Sequence, residues 1–413
     1  MIFKALTSAF YTDQRNQLIQ RLRPNSIAIF HSNDKMPLSA DQYFPFRQNK
    51  DLLKLCGIYQ EETAVVLNPD HPSPEKRVLL FIRKNDDYIK TWEGEGLDKG
   101  TAAEISGIGQ VYWFDQFESI VYPLISRCDH IYLNSNEKGN YPQEVMGRNE
   151  RWGKQIQSQF PFHSYHRLQP ILRSLHLIKS PEEIERIQKA VTLTGNTWHK
   201  ISALIQPGIY EYEIAAMITY EFEKQGAIHA FEPIVASGRS SCVLHYKTNS
   251  NRCEEGDILL IDFGAEVDGY AADMTRCLAV DGTMTKRQFE VYDQVMNLFG
   301  IASSLMKPGI TIDEINQRLA PEVTQSLLQL GVITKNEASD KNYYKKFLPH
   351  GVSHFLGMDV HDYGDRYTQL QPGMIVTCEP GIYIKAENIG IRLENDILIT
   401  EQGNEDLMKD YEL

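Results

Sequence analysis

Four carboxylates occupy matching contexts in the second half of the sequence. Asp262 and Glu379 each come at the end of an apolar, strand-like run. A second acid follows each of them across a turn-rich stretch, Asp273 after 11 residues and Glu394 after 15 residues. In antiparallel hairpins these spacings can return the second acid to face the first, so we expect the four carboxylates to surround one point.

A cluster of this kind implies bound cations. Four negative charges in one cleft repel one another and are costly to remove from water. Two divalent cations would balance the four charges, and two metals bridged by carboxylates hold a hydroxide and polarise a carbonyl, which is the chemistry of amide hydrolysis. For any single acid, a solvated hairpin residue is the simpler interpretation. For four acids placed by an internal repeat, a metal site is the better one.

A nitrogen ligand is available close to these acids. His350, His354 and His361 fall within twelve residues, although the whole chain has only 12 histidines. A zinc-protease helix needs glutamate after its first histidine, and Gly351 stands there instead, so that type of site is excluded. His245, just upstream of the first hairpin, is a further candidate. Oxygen-rich ligation with one imidazole favours Mn²⁺ over Zn²⁺ and leaves Co²⁺ and Fe²⁺ open.

The elements that must hold these residues carry a faint internal repeat. Pro207-Gly208-Ile209 and Pro308-Gly309-Ile310 lie 101 residues apart, and each precedes a Glu-Ile pair and a helical pattern. Each copy is followed further along by one of the acid-bearing hairpins. Two related half-domains, each a helix pair followed by a sheet, would therefore place the carboxylates at corresponding points.

The first 165 residues predict a separate α/β domain. Short β-branched or aromatic runs alternate there with amphipathic stretches such as Phe117–Arg127. The predicted strands are Ser26–Phe30, Thr63–Leu67, Arg77–Ile82, Val111–Phe114 and His130–Leu133. A capping box with proline at its first helical position, Ser180-Pro181-Glu182-Glu183, begins a new helical block. We therefore place an inter-domain linker at 166–178 and a second domain at 179–413.

Composition limits the partners and the compartment. Lys plus Arg number 42 and Asp plus Glu number 55, so the net charge is −13 and neither nucleic acid nor an anionic membrane is an expected partner. There is no run of 18 apolar residues, and the N-terminus lacks the continuous apolar core of a signal peptide. The six cysteines form no CxxC pair, which favours free thiols and a cytoplasmic location.

Four segments resemble the metal-site motifs of the pita-bread metallopeptidases: LLIDFGAEVDGYAADMTR, LPHGVSHFLGMDVHD, VTCEPGIYI and GIRLENDILIT. More narrowly, they are similar to the branch that contains Xaa-Pro aminopeptidase (aminopeptidase P) and prolidase. The N-terminal YFPFRQNKDLLKLCGIYQEETAVVL resembles the opening domain of bacterial aminopeptidase P. The resemblance implies an α/β N-terminal domain followed by an α+β pita-bread (creatinase/aminopeptidase) catalytic domain with pseudo-twofold halves.

The resemblance also implies a role for each candidate residue. Two divalent metal ions per subunit, usually Mn²⁺, would be the cofactor, with the ligands Asp262, Asp273, His354, Glu379 and Glu394. Glu379 would in addition move a proton from the attacking hydroxide. The residues implied to contact or orient the substrate are His245 and His361 at the scissile carbonyl, His350 at the proline ring, and Tyr383 and Arg392 in support.

Two further positions bear on the resemblance. Asn395 stands where the family commonly has a second acid after the metal-binding glutamate, which alters the local charge but removes no ligand. Trp92 matches an N-domain aromatic residue that reaches a neighbouring site in related oligomers. The resemblance therefore implies a homo-oligomer, either a dimer or a tetramer.

Several functions share these motifs. The favoured one is an aminopeptidase that hydrolyses the N-terminal Xaa-Pro bond of peptides with a metal-bridging hydroxide, and Tyr43–Asn49 resembles that branch. A prolidase, which cuts only dipeptides, has the same metal site and is the alternative. Methionine aminopeptidases usually lack a domain like residues 1–165. A creatinase-like enzyme or a non-catalytic peptide-binding module would be expected to lose metal ligands, and all five are present here.

Overall fold

The computed structural model describes residues 2–135, 137 and 145–412. It divides into two compact units. One unit is Lys4–Leu175, and the other runs from His176 onward and includes Ile2 and Phe3. In the described part of the chain, no helix combines the length and the hydropathy needed to cross a bilayer.

The first unit is built on one mixed sheet. Its strands are β1 (Ser26–His31), β2 (Pro37–Ser39), β3 (Gln42–Tyr43), β4 (Ala64–Leu67), β5 (Val78–Ile82), β6 (Val111–Trp113), β7 (His130–Leu133) and β8 (Ser164–Arg167). Six of them form the sheet in the order β6-β5-β4-β1-β7-β8, and β2 and β3 form a separate ribbon. Strand β4 is antiparallel to both of its neighbours, and the other pairs in the sheet are parallel.

Helices cover this sheet. They are α1 (Ser8–Ile19), α2 (Lys50–Cys56), α3 (Asp87–Glu93), α4 (Lys99–Ser106), α5 (Phe117–Ile125) and α6 (Arg148–Gln159). Helices α5 and α6 bury their apolar faces against Ile27 and Ile29 of β1, and α2 contacts β1 and β4. Every residue of β1 and β4 is buried, which explains why these strands read as continuous apolar runs.

The sequence predicted most strands of the first unit but not all of its elements. The five predicted strands and the helix starting at Phe117 are confirmed to within two residues at their ends. Strand β8 was missed because Ser164–Arg167 is polar and partly exposed, so no apolar pattern marks it. The predicted linker, 166–178, contains the end of β8 and a further helix, α7 (Gln169–Leu177), and its role as a linker stays a prediction.

The described residues of the second unit form four long helices and eleven short strands. The helices are α8 (Pro181–Ser202), α9 (Glu211–Glu223), α10 (Lys286–Leu305) and α11 (Ile312–Gln329). The strands are β9 (Ile228–His229), β10 (Ile234–Ser237), β11 (Ile258–Phe263), β12 (Ala265–Val267), β13 (Tyr270–Ala271), β14 (Met274–Ala279), β15 (Ile375–Cys378), β16 (Gly381–Ile384), β17 (Ile389–Arg392), β18 (Asn395–Thr400) and β19 (Gly403–Asp406).

The internal repeat is visible in the helices of this unit. Helices α9 and α11 begin at Glu211 and Ile312, which keeps the offset of 101 residues between the two Pro-Gly-Ile motifs. Gly208 and Gly309 both have a positive φ, +98° and +90°, where a side chain would be strained. The capping box predicted at Ser180 is confirmed at the start of α8.

Candidate active site

The first pair of acids lies on the antiparallel strands β11 and β14. Asp262 is the penultimate residue of β11, and Asp273 immediately precedes β14. The register places Phe263 opposite Met274, so the two acids come to the same end of the strand pair. The chain between them forms the small hairpin of β12 and β13.

A glycine allows the chain to close tightly at this point. The Ala272 N–H donates to Ala265 O at 3.0 Å, which draws the returning chain against the end of β11. A Cβ atom on Gly264 would lie only 1.8 Å from Ala272 O. No side chain fits there, so glycine at this position is a condition for bringing Asp262 and Asp273 together.

The second pair of acids lies on β15 and β18. Cys378 pairs with Asn395, which puts Glu379 and Glu394 directly opposite each other just beyond the paired residues. In the second strand pair, Glu379 lies directly opposite its partner acid Glu394. In the first pair, Asp262 lies two residues before the position opposite its partner acid Asp273. Residues two apart on a strand point to the same face, so this difference in register still leaves both acids on corresponding faces.

Backbone contacts join the two pairs. An antiparallel bridge links Thr275 and Glu394, with the Glu394 N–H donating to Thr275 O at 3.2 Å. The Asp273 N–H donates to a carboxylate oxygen of Asp396 at 3.1 Å. The structure thus brings the four predicted acids together, although they come from segments more than a hundred residues apart.

His354 lies among these carboxylates. Ligand atoms of Asp273, His354 and Glu394 all lie within 4.8 Å of one another. The Nε2 atom of His354 is 3.3 Å from Asp273 Oδ2 and 3.9 Å from a carboxylate oxygen of each of Glu379 and Glu394. The Nδ1 atom contacts Phe355 O at 3.1 Å, and because a carbonyl only accepts, Nδ1 carries the proton. Nε2, which faces the carboxylates, is the nitrogen left to bind a metal ion, as in a metal-binding histidine.

The electrostatics of the cluster fit bound cations. Burial raises the pKa of Asp273 well above its usual value, and the charge of Asp262 raises it further. Burial likewise raises the pKa of Glu394, with Asp273 and Glu379 adding to the effect. Oδ1 of Asp262 and Oδ1 of Asp273 are buried and accept no hydrogen bond from any described residue. Buried, mutually repelling carboxylates with unpaired oxygens are suited to holding divalent metal ions.

A chain of hydrogen bonds supports the cluster from one side. Arg392 donates to Asp262, to Thr275 Oγ1 at 3.0 Å and to the Tyr383 hydroxyl at 2.9 Å. The Tyr383 hydroxyl lies 2.8 Å from His350 Nε2, and His350 Nδ1 lies 2.7 Å from a backbone carbonyl. Both nitrogens of His350 are therefore used. Burial, together with the charge of Arg392, lowers the pKa of His350 to about 4, so the ring is neutral at pH 7.

The other two histidines lie at the cavity in front of the cluster. The rings of His354 and His361 are 4.5 Å apart and nearly perpendicular. Burial, with the charges of His354 and His245, lowers the pKa of His361 to about 4. His245 is exposed and lines the same cavity, which has a volume of about 580 Å³. A neutral imidazole can donate one hydrogen bond to a carbonyl oxygen without adding charge.

The structure places nine of the ten predicted site residues on the cavity wall. They are His245, Asp262, Asp273, His350, His354, His361, Glu379, Arg392 and Glu394. Tyr383 stands behind this wall, bonded to His350 and Arg392. Asn395 makes its hydrogen bonds to Arg276 and Asp406, so its amide is engaged elsewhere.

Sequence reasoning missed two polar residues that organise the site. Thr275 donates to Glu394 Oε2 at 2.6 Å and accepts from Arg392, and so fixes both side chains. Asp396 is fully buried and holds the backbone at Asp273. Both stand inside the motifs quoted above, but nothing in a threonine or in a third acid reveals these contacts. The apolar part of the wall was also not predicted and includes Phe231, Ile234, Leu244 and Val360.

Buried carboxylates gathered around one imidazole, at the wall of a cavity of substrate size, are typical of a metal-dependent hydrolase. Comparison with known families agrees with this class. Residues 185–401 match the model of metallopeptidase family M24, and residues 11–132 match the model of the aminopeptidase P N-terminal domain. The chain belongs to metallopeptidase family M24, in its Xaa-Pro aminopeptidase (aminopeptidase P) branch.

Individual relatives cover nearly the whole chain. The Xaa-Pro aminopeptidase of Escherichia coli is 33% identical over 95% of this chain and 93% of its own length. The structure of proline aminopeptidase P II from Yersinia pestis matches with a TM-score of 0.88 and 30% identity, over 98% of this chain and 97% of that one. Aminopeptidase PepP of Pseudomonas aeruginosa matches with a TM-score of 0.91 and 27% identity, over 98% and 96% of the two chains. The predicted architecture, an α/β domain before a pita-bread catalytic domain, is confirmed.

Proposed function

We propose that this enzyme removes the N-terminal residue from peptides that have proline in the second position, using two divalent metal ions. The observation that carries the proposal is the convergence of three buried carboxylates, the half-buried Glu379 and His354 on one cavity wall. The names of the relatives in Escherichia coli and Yersinia pestis support the choice of substrate.

The proposed metal ligands are the five side chains of the cluster: Asp262, Asp273, His354, Glu379 and Glu394. Their oxygen-rich set with a single imidazole favours Mn²⁺. Bound there, the ions would polarise the scissile carbonyl and lower the pKa of a water molecule to near neutrality. The carboxylate oxygens of Asp262 and Asp273 that accept no hydrogen bond are the ligand atoms that most need a metal ion.

The remaining side chains orient the substrate and move protons. Glu379 is half-buried, partial burial raises its pKa, and it lies beside His354 and His350, so it is placed to accept a proton and pass it on. His245 and His361 are proposed to donate hydrogen bonds to the scissile carbonyl. His350 is held neutral and fixed by Tyr383 at the place proposed for the proline ring.

The hydrogen bonds that Arg392 already makes favour an aminopeptidase over a prolidase. A dipeptidase must bind the carboxylate of proline, ideally with a bidentate arginine. Among the described residues, Arg392 is the only arginine that lines the cavity, and each of its three guanidinium nitrogens already donates a hydrogen bond, to Asp262, Tyr383 or Thr275. A peptide that continues beyond proline needs no such contact.

Peptide length tests this choice. With Mn²⁺ present, we expect Ala-Pro-Ala to be cleaved faster than Ala-Pro, with release of free alanine from the N-terminus. N-acetyl-Ala-Pro-Ala should be resistant, because an aminopeptidase requires a free N-terminal amine and acetylation removes the charge of that amine. Chromatographic analysis of the products at equal substrate concentrations decides the matter. Cleavage of Ala-Pro but not of Ala-Pro-Ala would identify a prolidase instead.

The two neighbouring histidines should behave differently when replaced. His354→Ala should lose bound metal, because His354 supplies the only imidazole proposed as a ligand. His361→Ala should keep its metal but lose about 10²–10³-fold in kcat, the usual effect of removing one donor to a developing oxyanion. Metal content by elemental analysis and kcat for Ala-Pro-Ala are measured on both variants. Equal metal loss in the two would show that the roles have been confused.

Assembly and location also belong to this proposal. We expect a homo-oligomer, a dimer or a tetramer, in which Trp92, whose side chain is 73% exposed, lies at the contact between subunits. The six cysteines are free and buried, as predicted, which suits a reducing compartment such as the cytoplasm. Light scattering on the wild type and on Trp92→Ala measures whether this residue affects the mass of the particle.

A further inference from the structure

Two charged side chains line the cavity without belonging to the proposed metal site. Glu232 lies just before β10, and Lys247 lies in the segment between β10 and β11. Both are exposed. Lys247 forms no ion pair with any residue that the structure describes, so its ammonium group is available to a ligand.

Lys247 is a cation on the cavity wall that is not paired with any other described side chain. The second permanent cation on the wall is Arg392, which is buried and bonded to Asp262, Tyr383 and Thr275. Among the described wall residues, therefore, Lys247 alone can offer a permanent positive charge to a bound peptide. A lysine provides this charge as a mobile point charge and needs no planar partner.

The backbone on both sides of Lys247 is anchored. The hydroxyl of Tyr246 donates to Glu211 Oε2 at 2.9 Å, and Glu211 is fully buried. On the other side, Asn249 Oδ1 accepts from the Val235 N–H at 3.0 Å, which ties the segment to β10. The base of the Lys247 side chain therefore has a fixed place beside the cavity, while its end remains in solvent.

The distance along the chain suits a peptide bound in the cavity. Lys247 is two residues beyond His245, which is proposed to contact the scissile carbonyl, so their Cα atoms are at most about 7 Å apart. In an extended substrate, the residue after proline is also two residues beyond the residue whose carbonyl is attacked. A peptide that runs along the cavity wall from His245 towards Lys247 would place that residue within reach of the lysine side chain.

We propose that Lys247 is a specificity-determining residue that binds a carboxylate on the residue after proline. The inference rests on the proposed function, because it takes its orientation from the scissile Xaa-Pro bond. The carboxylate has two sources, the C-terminus of a tripeptide and the side chain of an aspartate or glutamate in a longer peptide. In both cases the enzyme would favour peptides that are anionic at this one position.

Matched peptides test the inference. Ala-Pro-Ala is compared with its C-terminal amide, and Ala-Pro-Asp-amide with Ala-Pro-Asn-amide, in the Mn²⁺-loaded wild type and in Lys247→Met. We expect the wild type to have an about two- to fivefold lower KM for the anionic member of at least one pair, as for a solvent-exposed ion pair. Lys247→Met should remove this difference, and the pair that shows it identifies the source of the carboxylate.

Two control variants separate this effect from general changes in charge. Lys286→Met removes a lysine whose side chain is 93% exposed and does not line the cavity, and it should keep the wild-type preference. Glu232→Gln removes the negative charge on the same wall and should keep the preference or increase it. High salt should reduce the preference, because exposed charges are screened.

The outcomes distinguish this inference from the proposed function. Equal KM values within both peptide pairs would overturn the inference alone, since the enzyme would still cleave all four peptides. A preference that persists in Lys247→Met would overturn it as well. If the wild type cleaves none of the four, the proposed function fails and the inference falls with it.

Discussion

Replacing Glu379 with glutamine is expected to lower kcat by about 10²–10⁴-fold while the fold is retained. The amide keeps the size of the side chain but can neither accept the proton nor balance metal charge as the carboxylate does. Glu379 Oε1 is 3.9 Å from His354 Nε2, and Oε2 is 3.5 Å from His350 Nδ1, so the group lies within the cluster. The measurement is kcat for Ala-Pro-Ala, together with the thermal midpoint of unfolding.

A matched control is available in the same unit of the chain. Glu401 is exposed and does not line the cavity, so Glu401→Gln makes the same chemical change away from the site. We expect the control to keep wild-type kcat. Near wild-type activity in Glu379→Gln would contradict the assignment of Glu379 as ligand and proton carrier.

Removal of metal is the second change with a large expected effect. Treatment with a chelator should abolish hydrolysis, and Mn²⁺ should restore it better than Mg²⁺, which gives up its waters reluctantly. Binding should also raise the thermal midpoint, because Asp273, Glu379 and Glu394 repel one another when no cation is present. A ligand at 100 times its Kd stabilises the folded state by about 2.7 kcal/mol, so the shift is measurable by calorimetry.

A ligand variant provides the control for this second experiment. Asp262→Ala should lower metal content as well as rate, and its thermal midpoint should respond less to added Mn²⁺. Full activity in protein shown to be free of metal would contradict the proposed mechanism, whatever the behaviour of the variant.

The sequence predicted which residues form the site better than it predicted the contacts between them. Asp262 and Glu379 could be singled out because each ends an apolar run in a similar context, and Asp273 and Glu394 because each follows one of them across a turn-rich stretch. Their convergence could be argued only from the hairpin spacings and the internal repeat. The register difference of two residues between the hairpins depends on how strands pair, and the sequence carries no direct signal for it.

The hydrogen bonds that hold the site residues in place could not be predicted from the sequence. Thr275 touches both Glu394 and Arg392, yet these partners lie more than a hundred residues away and an isolated threonine gives no sign of them. Strand β8 illustrates the same limit in the first unit, since its residues are polar and only the neighbouring strand β7 gives them an extended conformation. Local pattern predicts elements, whereas tertiary partners decide the details of a site.

The metal content of the active wild-type protein tests the proposed mechanism more directly than any variant does. The central claim is that five side chains, Asp262, Asp273, His354, Glu379 and Glu394, hold the two ions that enable hydrolysis. Protein loaded with Mn²⁺, freed of excess ion and assayed on Ala-Pro-Ala, is analysed for manganese per chain. About two ions per chain are expected, as in two-metal hydrolases, with activity falling as they are removed. Active protein that contains no stoichiometric metal would contradict the central claim.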